Sequence, residues 1–142
     1  MVRPPYLTSN VAFFAALIAG NVAEAQQQNS KAKPEVPAIS SADLGLDYKK
    51  LVGKRVRVTD CTIIGAKLEI AGCPIPAGNS YGGMINVGYG SADRADRKRA
   101  MEECNTGKPE KRCVAEVTGT VRESLLGSVV GLDNATLRWR EP

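Results

Sequence analysis

Apolar and polar residues alternate at two places in this chain with the period of a half-buried β-strand. Lys54-Arg55-Val56-Arg57-Val58 sets its valines on one face and its basic residues on the other. Val114 to Val121 does the same, with Ala115, Val117 and Val121 opposed to Glu116, Thr118 and Thr120. In the first strand the parity then slips, since Cys61 and Ile63 are odd-numbered where Val56 and Val58 are even. A bulge near Thr59-Asp60 keeps all four inside. Gly119 interrupts the later strand, as expected where a strand bends sharply.

The remaining pattern fills in the order. Gly65-Ala66 reads as a turn and Lys67-Leu68-Glu69-Ile70 as a second strand with Leu68 and Ile70 inward. Pro74 to Gly83, with two prolines and three glycines, reads as a mobile loop, and Met84 to Val87 as the third strand. A helix is expected over Ala92 to Cys104, capped by Ser91, with a weak apolar face built mostly of small residues. A last strand runs from Ser128 to Trp139 and carries Val129, Leu132, Ala135, Leu137 and Trp139, with a second bulge at Asp133-Asn134. Ahead of all this, Ser41-Ala42-Asp43 looks like a cap before a short apolar turn bearing Leu44, Leu46, Tyr48 and Leu51, which Gly53 ends. The predicted order is three strands, a helix and two strands. That is the chain order of a five-stranded, closed OB-fold-like barrel with its helix between strands 3 and 4.

The amino terminus is patterned differently. Arg3 precedes the apolar run Val11 to Ala19, and Ala23-Glu24-Ala25 has the small-x-small form of a signal-peptidase site. Nine apolar residues are far short of the roughly 20 that span a bilayer as a helix, so residues 1–25 are expected to be a cleaved signal peptide. Residues 26–43, polar and containing Pro34 and Pro37, are expected to be a disordered tether. Residues 44–142 form the expected domain. Location outside the cytoplasm follows, periplasmic or secreted, with no membrane anchor left after cleavage.

Removing 25 of 142 residues leaves 117, enough for one small domain. Its aromatics are Tyr48, Tyr81, Tyr89 and Trp139, so the core must come from aliphatic side chains and needs staples. Four cysteines in an exported chain supply two disulfides. The gaps are too long for a zinc site and the chain has no His, so no metal or other cofactor is expected. Of three connectivities, Cys61–Cys73 and Cys104–Cys113 pair neighbours in sequence at facing ends of adjoining elements.

Leu51 to Val58, Val117-Thr118-Gly119-Thr120-Val121 and Gly131 to Leu137 resemble the first, fourth and fifth strands of small exported bacterial OB-fold proteins of the tRNA-anticodon-binding-like group. The likeness spans Tyr48 to Trp139 and lies in strand and bend residues, so it bears on the fold rather than on an activity.

The residues admit three function classes. A binding or scaffolding module of the cell envelope, taking a polyanion or a protein, is the leading expectation. Its ligand surface is expected on the second and third strands and flanking loops, with Arg57, Lys67, Tyr81, Tyr89 and Arg122 as contacts. Single-stranded nucleic acid is the alternative, drawing on the basic residues Arg55, Arg94, Arg97, Lys98, Arg99, Arg138 and Arg140 with the tyrosines as stacking platforms. A net charge of +4 is also an ordinary solubility value. An enzyme is the third class and is not expected, because without His the usual nucleophile-base pairs are out of reach and the carboxylates are scattered singly.

Overall fold

Two short-range signals set the bounds of the first helix. Ser40 stands at an extended φ/ψ and its hydroxyl accepts a hydrogen bond from the Asp43 amide at 3.0 Å, which starts helix α1, Ser41–Leu51. Gly53, at φ 81, ends it just past Val52. The structure, a computed structural model, describes residues 33–124 and 130–142. The expected signal peptide, residues 26–32 of the tether and Ser128-Val129 therefore lie outside the described residues. The tether expectation is corrected at its far end: strand β1, Ala38–Ile39, and the start of α1 are ordered within it.

Among the described residues six strands form one sheet, so the architecture is mainly β. Beside β1 these are β2 (Arg55–Thr62), β3 (Ile70–Ala77), β4 (Ser80–Gly88), β5 (Val114–Glu123) and β6 (Val130–Trp139). Helix α2, Arg94–Glu103, lies between β4 and β5, starts at Asp93 without a side-chain cap bond, and is two residues shorter at its head than expected. The order across the sheet is β1-β2-β5-β6-β4-β3, with β1/β2 and β4/β6 parallel and the other pairs antiparallel. The sheet is not closed into a barrel. Among the described residues β2 and β3 are not paired; just past β2 a single bridge, Ile64 to Gly72, meets β3 near the Cys61–Cys73 disulfide. The expectation of five strands is corrected to six, because β1 adds to the free edge of β2.

Alternation in β2 and β5 places Val56, Val58, Cys61, Ala115, Val117 and Val121 in the core. The expected bulge is present as a register shift between Val58 and Cys61. The second is present too: Thr118 to Thr120 on β5 faces Asp133 to Thr136 on β6, and Asn134 absorbs the extra residue at φ 49. Gly119 sits against it, where a Cβ would stand 3.0 Å from Leu132 Cβ and 3.1 Å from the Asp133 carbonyl.

Two expectations fail between residues 67 and 83. Leu68 and Ile70 are not inward but 62% and 42% exposed, because the Lys67 amide donates to the Ile70 carbonyl and turns the chain there. Pro74 to Gly83 is not a loop but the heart of a hairpin, β3 and β4 joined at Gly78-Asn79 with Gly78 at φ 61. The prolines are tolerated because β3 is an edge strand, where a missing N–H breaks no ladder bond.

Among the described residues the buried hydrophobic side chains and both disulfides, Cys61–Cys73 and Cys104–Cys113, fall within the compact unit Pro34–Pro142, so this unit carries its own core. Helix α2 adds little to that core, burying Ala100 alone. It is held instead by Cys104, by the Trp139 indole N–H donating to Asp96 at 3.0 Å, and by the Arg99 guanidinium 4.8 Å over the Trp139 ring. Among the described residues no helix is long and apolar enough to cross a membrane, and the two disulfides are compatible with an extracellular location.

Candidate functional site

The five expected contact residues do not form one surface. Arg57 points out of β2 at the sheet edge, half-buried where Ala38 of β1 pairs with it. Lys67 is exposed in the 63–69 connection. Arg122, on β5, lies across Gly131 of β6 with its guanidinium carbon 2.7 Å from where a Cβ would stand, and its Nε donates to Asp133 at 2.6 Å. That ion pair straps β5 to β6.

Tyr89 is corrected outright: its side chain is fully buried and is the largest wholly buried one. Its hydroxyl donates to the Lys67 carbonyl and its amide to the Glu69 carbonyl, so it anchors the 63–69 connection from within. Burial raises the phenol above its ordinary value of 10.0, opposed by the nearby Arg97 cation. The unfolded chain ionises near the ordinary value and the folded chain above it, so between the two unfolding releases a proton. Stability contributed by this group is complete below pH 10 and falls as pH rises through that window. A Tyr89→Phe chain should show a flatter alkaline limb in its urea-midpoint profile.

Tyr81 is the exception. It stands near the start of β4 with its ring 57% exposed, paired across the hairpin with Pro76. Beside it opens a cleft of about 350 Å³ between β2 and the hairpin, walled by Asp60, Thr62, Pro74, Asn79, Ser80 and Tyr81. The cleft exists because β2 and β3 stay unpaired at this end. Pro76 also borders an apolar groove of about 220 Å³ beneath Leu46 of α1.

Asp60, at the β2 bulge, has a structural duty as well. Its carboxylate accepts from the Ser41 amide at 2.6 Å and the Ser41 hydroxyl at 3.2 Å, docking the head of α1. Ser41 is fully buried, so Asp60→Ala strands two polar groups. A loss of about 1–3 kcal/mol is expected in urea unfolding, with Asp60→Asn recovering part of it.

Chemically, the cleft offers one aromatic face ringed by hydroxyl, amide and carboxylate groups, with no cation in its wall. Among the described residues no three metal-ligating side chains gather. The alternation that exposed Val56 and Val58 as core residues carried no signal for the cleft, which is made by the hairpin that the prolines hid. No family model, no curated protein and no solved structure matches this chain.

Proposed function

We propose that this chain is an exported, disulfide-stabilised binding module of the cell envelope with an OB-like sheet, and that its ligand is an oligosaccharide held in the Tyr81 cleft. The OB-like reading is supported by the run β2-β5-β6-β4-β3, with β4/β6 its parallel pair, and by the Cys61–Cys73 staple where β3 would return to β2. Export is supported by the amino-terminal pattern and by the disulfides.

The observation that carries the ligand class is the setting of Tyr81. A sugar ring presents apolar C–H groups on its faces and hydroxyls on its rim. An exposed aromatic ring beside Asp60, Thr62 and Asn79 meets both needs. Phosphate does not fit as well: the cleft wall holds a carboxylate, and Arg57, Lys67 and Arg122 lie elsewhere. With Tyr89 inside the core, the second stacking platform of the nucleic-acid alternative is also gone.

The test follows Tyr and Trp139 fluorescence while the oxidised chain is titrated with neutral oligosaccharides, an acidic glycan, and short single-stranded DNA and RNA at two salt concentrations. Saccharide binding is expected, falling about tenfold or more in Tyr81→Ala, a loss of about 1.4 kcal/mol. Tight, salt-sensitive binding to the nucleic acids alone would overturn the proposal in favour of the nucleic-acid alternative.

A further inference from the structure

On α2, away from the cleft, apolar and basic side chains share a second surface. Leu68, 62% exposed, and Met101, 36% exposed, border a shallow depression of about 280 Å³ whose other walls are Arg94, Arg97 and Lys98. Ile70, 42% exposed, stands in the same turn as Leu68, and Lys67 beside it adds a fourth cation. No carboxylate lines the depression. The acids nearest in sequence are Asp96, which accepts from the Trp139 indole at 3.0 Å, Glu102, 3.8 Å from Lys98, Glu69, folded against Gly90, and Asp93, at the head of α2.

We infer that this surface docks the domain on an anionic lipid bilayer. Exposed aliphatic side chains inside a ring of cations match what a headgroup layer offers, with acyl chains to receive Leu68, Ile70 and Met101 and phosphates to receive the Arg and Lys heads. The long cationic side chains reach outward while their stems stay against the apolar patch. A bilayer needs no shaped pocket, and the depression is shallow. An extended peptide partner is disfavoured because the backbone around Leu68 is already used: the Lys67 amide donates to the Ile70 carbonyl, and the Glu69 carbonyl accepts from the Tyr89 amide. Helix α2, tied at Cys104 and Trp139 rather than by a deep apolar face, presents its basic row without unfolding.

Vesicle flotation of the oxidised chain from Gln26, which contains the whole compact unit, tests this. Two vesicle types are used, phosphatidylcholine alone and phosphatidylcholine mixed with phosphatidylglycerol. Binding to the mixed vesicles only is expected, weakening as salt rises. Arg94→Glu with Lys98→Glu should abolish it. Leu68→Ser with Met101→Ser, which leaves the charge untouched, should weaken it about tenfold or more. Thermal melts of both double variants are expected to match the parent, since the residues are exposed; a variant that melts early is replaced by Arg94→Gln with Lys98→Gln or by Leu68→Ala alone. Absence of binding to mixed vesicles, binding indifferent to the apolar pair, or equal retention by soluble polyglutamate would each overturn the proposal, the last pointing to an acidic protein instead. Tyr81→Ala should leave flotation unchanged, so failure of the saccharide reading and failure of this one are separable.

Discussion

Loss of the Cys61–Cys73 bond, by Cys61→Ala with Cys73→Ala, should lower folding stability by about 2–5 kcal/mol, and by clearly more than loss of Cys104–Cys113. Chain entropy does not separate the two bonds, since they close loops of similar length, with separations of 12 and 9 residues. The native structure separates them. All four cysteines are buried, but Cys61 and Cys73 join β2 to β3, which share no paired residues, and just past β2 the chain meets β3 at one bridge, Ile64–Gly72. Without the sulfurs the core between these strands loses filled volume, and the Ile64–Gly72 bridge alone is left in the hydrogen-bond ladder to keep the hairpin in place. Cys104–Cys113 instead pins the end of a helix that buries little, so its removal should fray α2 and leave the sheet intact. Urea unfolding of the two double variants gives the ranking, and amide exchange locates the opening. Equal losses, or protection lost first in β5 and β6, would contradict this account.

Tyr89→Ala should cost about 3–5 kcal/mol, while Tyr81→Ala stays within about 0.5 kcal/mol of the parent. Both tyrosines follow or open β4, and composition does not distinguish them. Tyr89 fills the core and donates to the Lys67 carbonyl, so truncation opens a cavity and frees the 63–69 connection together. Tyr89→Phe, which keeps the ring, should lose only about 1 kcal/mol, because its packing stays and one hydrogen bond, to the Lys67 carbonyl, goes. The contrast also guards the binding test: Tyr81→Ala changes the cleft without changing the fold, so a lost signal reports recognition. A stability loss in Tyr81→Ala comparable to that of Tyr89→Ala would remove the cleft reading.

What could be read from residue order alone was whatever depends on near neighbours. The period of two in β2 and β5 is enforced by water on one face and the core on the other, so Val56, Val58, Val117 and Val121 declared themselves. A parity slip has a local remedy, hence both bulges were legible. Cysteines close in sequence pair because their loops are short, and both bonds follow that rule.

Other features depend on partners distant in the chain, and only the folded molecule decides them. Pro74 and Pro76 break a central strand but suit an edge, and edge position is a property of the whole sheet. Leu68 and Ile70 alternate as a strand would, yet the strand begins only at Ile70, after a turn closed by the Lys67 amide on the Ile70 carbonyl, and both side chains stand in solvent. Tyr89 has the side chain of a surface contact and is buried because an aliphatic core of small residues leaves room for one large ring. Strand, bulge and disulfide chemistry were thus determined by the sequence itself, through hydration and short loops. The open seam between β2 and the hairpin, and with it the Tyr81 cleft, was decided by tertiary packing, because it depends on which strands find each other across the whole domain.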